Sequence, residues 1–88
     1  MLKNSGMPRP INIIVKYDKE LEKIIGTKEY SVMMSEGSTL MYLLQNIFMA
    51  HPEIEEKHPP GTIGISINGI LSTTNALLMD GDTVTFSV

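Results

Sequence analysis

Leu77-Leu78-Met79-Asp80-Gly81-Asp82-Thr83-Val84-Thr85-Phe86-Ser87-Val88 is the stretch on which the fold turns. Asp80-Gly81-Asp82 has the chemistry of a tight turn, because glycine takes positive φ without steric cost and aspartates bond to nearby backbone amides. Two carboxylates at this spacing could also serve acid–base chemistry, but the glycine between them favours the turn. Beyond it, Val84 and Phe86 alternate with Thr83, Thr85 and Ser87, the period of two that gives a strand one apolar face. Before it, Ala76-Leu77-Leu78 is a short apolar piece. Met79 is expected to fill the core with Met34.

The elements upstream supply what that apolar face must pack against. Ile11, Ile13, Val15 and Tyr17 alternate with Asn12, Ile14 and Lys16 as a first strand. Asp18 to Gly26 reads as a turn or short helical loop anchored by Leu21, Ile24 and Ile25, and Lys28 to Met34 alternates again. That second strand places Tyr30, Val32 and Met34 on one side and Glu29, Ser31 and Met33 on the other. Ser35-Glu36-Gly37-Ser38 interrupts it, and either Ser38 or Thr39 can cap a following helix. Leu40, Leu43, Leu44, Ile47 and Phe48 recur at the spacing of one helical face. His51-Pro52 ends that helix, since the residue before proline is pushed from the α region. Glu53 to Gly61 is expected to be a solvated loop. Thr62 to Ile67 alternates through Ile63, Ile65 and Ile67, with Gly64 and Ser66 as small outward residues, and Asn68-Gly69 forms a tight turn. One sheet of four to five strands with one main helix across it buries both stripes, giving an α+β domain over residues 11–88 behind a flexible arm over 1–10.

Composition narrows the function. The chain has 88 residues, 42% hydrophobic and 19% charged, with a formal net charge of −3 and mean hydropathy near zero, which places it among ordinary globular chains. Its seven basic residues are scattered, so no dense basic stripe is present to neutralise phosphates, and nucleic acid is not an expected partner. No segment approaches the roughly 18 apolar residues of a membrane span, and the first ten residues lack a signal-peptide core, so a cytoplasmic location is expected. The absence of cysteine removes disulfides, thiolate nucleophiles and iron–sulfur ligation.

Several pieces together resemble a known family: Leu21 through Gly26 with its Gly-Thr exit, Ser35-Glu36-Gly37-Ser38-Thr39-Leu40 leading into the helix, Ile67-Asn68-Gly69, and Leu78 through Val84. In this order they resemble the ubiquitin-like β-grasp sulfur carriers, which include the small subunit of molybdopterin synthase and the thiamine-pathway sulfur carrier. Plant-type ferredoxins share this class of fold, but a chain without cysteine is not one of them. The resemblance implies a carrier rather than an enzyme, at most the small subunit of a sulfur-transfer enzyme. An adenylating partner uses ATP to activate the carboxylate of a terminal Gly-Gly, and sulfur from a persulfide then replaces the adenylate. No cofactor bound by the chain itself is implied. As written, the chain reaches Val88 without that Gly-Gly, so the resemblance implies a carrier whose thiocarboxylate-bearing tail is missing from this chain. The other reading is a ubiquitin-like binding module that acts through its sheet face without covalent chemistry.

Candidate sites follow. No catalytic residue stands out. Ile14, on the opposite side of strand one from Ile13 and Val15, is the exposed apolar residue of a sheet face shared with Lys16, Thr83, Thr85 and Ser87. With Val88, these form the expected partner-binding set, facing an activating enzyme or a sulfur-transfer large subunit. Met33, Met41 and Met49 are expected at the surface. His51, Glu53, Glu55, Glu56 and His58 match no standard ligand spacing and read as acidic loop, so no metal is assigned.

Overall fold

The computed structural model describes residues 8–88. Five strands and three helices follow in the order β1 (Pro10–Tyr17), α1 (Lys19–Ile25), β2 (Glu29–Ser35), α2 (Leu40–Ala50), α3 (Pro52–Lys57), β3 (Gly64–Ile67), β4 (Ile70–Leu71) and β5 (Thr83–Ser87), with a 3-10 turn at Pro60–Thr62 before β3. Of the expected N-terminal arm, residues 1–7 lie outside the described residues, and Pro10 already belongs to β1.

The strands form one mixed sheet in the order β2-β1-β5-β3-β4. β1 pairs with β2 antiparallel and with β5 parallel, and β3 pairs antiparallel with both β4 and β5. The closing strand is therefore central. Val84 and Phe86 are buried at its middle, and the two sheet edges are β2 and β4. A central position suits the strand with the cleanest alternation, because its inward side chains are covered from both flanks.

Helix α2 lies against the inward face. Thr39 is its cap, accepting from the Tyr42 amide at 3.2 Å, while the Ser38 hydroxyl instead donates to the Ser35 carbonyl at 2.6 Å. Leu40, Leu43, Leu44, Ile47 and Phe48 are all buried, as their spacing requires. Opposite them lie Ile11, Ile13, Val15, Tyr17, Ile63, Ile65, Val84 and Phe86, with Met34 and Leu78 closing the core. Tyr30 and Val32 are partly buried beside it, since they lie on an edge strand.

Three segments differ from their sequence reading. Glu53 to Gly61 is not a loop throughout: Pro52–Lys57 is a helix with proline at its first turn. Proline ends α2 by constraining its predecessor, yet its missing N–H costs nothing at a helix start, so one residue ends a helix and opens the next. Ile54, only 2% exposed, anchors α3 to the core. Thr62 belongs to the 3-10 turn, so β3 begins at Gly64. Met79 is 66% exposed and is not core. Its amide donates to Asp82 Oδ2 at 2.8 Å, which holds it in the turn while the adjacent Leu78 takes the buried position.

Candidate partner-docking face

Alternation along β1 sends Ile11, Ile13, Val15 and Tyr17 inward and leaves Asn12, Ile14 and Lys16 on the other side of the sheet. The parallel register sets Ile14 opposite Thr83 and Lys16 opposite Thr85. β3 extends the same face with Ser66 opposite Thr85 and Gly64 opposite Ser87. On the β2 side, Ser31 lies opposite Ile14 and Glu29 opposite Lys16. The fold thus brings Ile14, Lys16, Thr83, Thr85 and Ser87 onto one face, with Val88 immediately past the end of β5.

Polar side chains surround Ile14, 36% exposed, which stands between Ser31 and Thr83, while exposed Met33 opposite Asn12 and Leu71 opposite Ser66 add apolar surface toward the two edges of the same face. The Lys16 ammonium is 3.9 Å from Glu29 Oε1 with both side chains about half exposed. Such a solvated pair contributes only about 0–1 kcal/mol, so Lys16 can exchange it for a partner's carboxylate at little cost. At Gly64 a Cβ would stand 2.9 Å from Ser87 Oγ, a contact that rotation of the hydroxyl would relieve.

The Asp80-Gly81-Asp82 carboxylates are occupied by donors of β1, of the turn and of Asn68. Asp80 Oδ1 accepts from the Asn12 amide at 2.7 Å. Asp82 accepts from the Met79 amide through Oδ2 and from Asn68 Nδ2 through Oδ1, the latter at 2.9 Å. Asn68 Oδ1 in turn accepts from the Thr83 amide at 2.9 Å. Gly81 and Gly69 have φ of 86° and 84°, and Asn68 has φ of 52°, the region where glycine and asparagine are tolerated. Both turns are thereby locked to the start of β5, on the face's border.

On the helix side, Tyr17 stacks between Tyr30 and Phe86, with ring centroids at 5.9 and 6.1 Å. Its hydroxyl donates to that of Tyr30 at 3.3 Å. Burial, and then the Tyr30 hydroxyl, push the Tyr17 phenol far above its ordinary range. The folded chain therefore holds the proton that the unfolded chain releases above about pH 10, and stability falls as pH rises past that point. Tyr17→Phe is expected to flatten this alkaline loss. Thermal melts of both proteins from pH 8 to pH 11 (about two units below the free phenol's pKa to one above it) check it, and parallel declines would refute it.

A groove of about 720 Å³ runs between β2 and α2, bordered by Tyr30, Val32, Met34, Leu43 and Ile47. It lies on the opposite side of the sheet from Ile14. His51 links α2 to α3, Glu53, Glu55 and Glu56 are exposed on α3, and His58 follows it. Among the described residues no three His, Asp or Glu side chains gather so as to hold a metal. Met33, Met41 and Met49 are exposed as expected. Exposed Ile70 and Leu71 make up β4, a return strand that the Asn68-Gly69 turn implies but that two residues are too short to announce. Among the described residues no helix is long and apolar enough to cross a membrane.

Asp18 is the residue that sequence reasoning passed over. It caps α1 by accepting from the Leu21 amide at 2.9 Å through Oδ1. Its position before Lys19-Glu20-Leu21-Glu22 is a helix-start signal, but the use of its second oxygen is visible only in three dimensions.

A mixed five-stranded sheet with a parallel central pair and one long helix across it is the ubiquitin-like β-grasp fold. Solved structures share it over nearly their whole length. A Pyrococcus furiosus chain described as molybdopterin converting factor subunit 1 superposes with a TM-score of 0.78 at 23% identity, covering 88% of this chain and 95% of its own. Small archaeal modifier protein 1 of H. volcanii gives 0.74 at 18% identity, with coverage of 88% and 95%. Urm1 of Trypanosoma brucei gives 0.67 at 20% identity, with coverage of 92% and 94%. No protein-family profile and no curated sequence matches the chain.

Proposed function

We propose that this chain is a carrier-type ubiquitin-like protein that docks through Ile14, Lys16, Thr83, Thr85, Ser87 and Val88 on an adenylating enzyme or a sulfur-transfer large subunit. In this reading the reactive group is the carboxylate of a Gly-Gly end reached beyond Val88. The carboxylate attacks the α-phosphate of ATP bound by the partner and releases pyrophosphate. The outer sulfur of a persulfide then displaces AMP to give an acyl disulfide. A second thiol cleaves its S–S bond, forming a disulfide with the donor and releasing a thiocarboxylate, which donates sulfur to a cofactor precursor of the molybdopterin or thiamine type in the cytoplasm.

The observation that carries the proposal is the register that places Ile14 and Lys16 beside Thr83 and Thr85 on the strand that runs to Val88. A partner seated on this face sits next to the chain's exit, so docking and chemistry lie on one side of the molecule. The names of the solved neighbours, a converting-factor subunit and a modifier protein, agree with this use of the fold, though fold alone does not grant function.

The test is ATP–pyrophosphate exchange by an adenylating enzyme of this class, supplied with the chain extended past Val88 to a Gly-Gly end. Exchange that depends on the chain is expected. With a persulfide donor and a thiol to cleave the acyl disulfide, the intact mass should then rise by the difference between sulfur and oxygen. Absence of exchange removes the carrier chemistry and leaves the binding-module reading, in which the same face binds a partner without covalent change.

A further inference from the structure

The parallel ladder between β1 and β5 continues one step beyond β1, and its last acceptor is a side chain. The register pairs Tyr17 with Phe86, and the Asp18 amide donates to the Phe86 carbonyl at 3.1 Å. In a regular parallel ladder the next bond would run from the Val88 amide to the Asp18 carbonyl. That carbonyl is instead turned into α1, where it accepts from the Glu22 amide at 2.8 Å as the first bond of the helix. Asp18 Oδ2 takes its place and accepts from the Val88 amide at 2.8 Å. The other oxygen, Oδ1, caps α1 at the Leu21 amide.

One carboxylate therefore does two tasks at the point where β1 turns into a helix and β5 leaves the sheet. We infer that Asp18 is a positioning residue that fixes the backbone direction at Val88 and so aims whatever follows it toward the active site of the docked partner. The aiming role rests on the carrier reading, whereas the anchor itself does not. Val88 is not part of β5 and is 43% exposed. Beyond the pairing of Ser87 with Gly64 at the end of β5, this charge-assisted bond is what holds the Val88 amide. Bonds from an amide to a carboxylate are about twice as strong as neutral ones, which suits a restraint placed past the last ladder pair of β5.

The two tasks can be separated. Serine is as good a helix cap as aspartate, but it has one oxygen on a shorter arm, so Asp18→Ser keeps the start of α1 and loses the hold on Val88. Amide hydrogen exchange by NMR reads both. In the Asp18→Ser protein, exchange at Val88 is expected to accelerate about tenfold or more, given what a hydrogen bond to a charged group contributes, with the amides of α1 unchanged. Equal Val88 exchange in the two proteins would overturn the anchor.

Both chains are then extended to a Gly-Gly end and compared in the pyrophosphate-exchange assay. A loss carried mainly in kcat, with KM nearly constant, supports aiming, because Ile14, Lys16, Thr83, Thr85 and Ser87 of the docking face are untouched. Unchanged kcat alongside a released Val88 overturns aiming and leaves an anchor of purely structural use. If neither extended chain is adenylated, the carrier reading fails and aiming with it, and the exchange rates at Val88 still decide the anchor.

Discussion

Phe86→Ala is expected to remove most of the chain's stability. Phe86 is 2% exposed on the central strand, stacked on Tyr17, and borders a small void shared with Leu21, Leu44, Ile54 and Ile63. Deleting a buried phenylalanine costs about 3–5 kcal/mol, because the lost ring surface is joined by a cavity that the surroundings only partly fill. A domain of 88 residues has about 4–13 kcal/mol in all at usual values per residue. Urea unfolding checks the result. With a slope of about 1–2 kcal/mol per molar, the midpoint should fall by roughly 1.5–5 M, or the variant should be largely unfolded without denaturant. A shift below about 0.5 M would show that the core tolerates the loss and that β5 is not its centre.

Ile14→Asp is expected to abolish docking while leaving the domain folded. Ile14 lies on the outer face of β1 beside Ser31 and Thr83 and contributes nothing to the buried cluster. The folded chain should therefore lose only the strand preference of isoleucine, on the order of 1 kcal/mol. At an interface the same change places a carboxylate where an apolar side chain would be covered, and a central anchor of this kind carries about 2 kcal/mol or more, some 30-fold in affinity. Calorimetric titration against an adenylating partner, with a thermal melt of the variant as the control, gives the answer. Unaltered affinity with an intact melt would exclude this face.

Much of the fold was legible because its signals are local. The spacing of Leu40, Leu43, Leu44, Ile47 and Phe48 requires one buried helical face, and all five are buried. Asn68-Gly69 and Asp80-Gly81-Asp82 are turns whose residue types match their backbone angles. The face of Ile14 was also readable, since a residue out of phase with Ile13 and Val15 must point away from them. The same local reading failed at Pro52–Lys57, where charge and proline suggested a loop. A six-residue helix gains its stability from tertiary packing, and one buried side chain, Ile54, supplies it. It failed again at Met79, whose hydrophobicity placed it inside although the hydrogen-bonded turn holds it outside.

The sequence alone determined which residues share a face, because periods of 2 and 3.6 are properties of the local backbone. It determined the α+β class and the exposure of Ile14 in the same way. Only the tertiary structure decided which faces and ladders meet. The last strand lies between β1 and β3 instead of at an edge, and Thr83 and Thr85 stand beside Ile14 and Lys16. Asp18 holds an amide 70 positions away. Such pairings depend on how strands distant in sequence dock to bury the whole apolar surface, and a carboxylate before a helix looks the same in sequence whether its second oxygen meets water or the end of a strand.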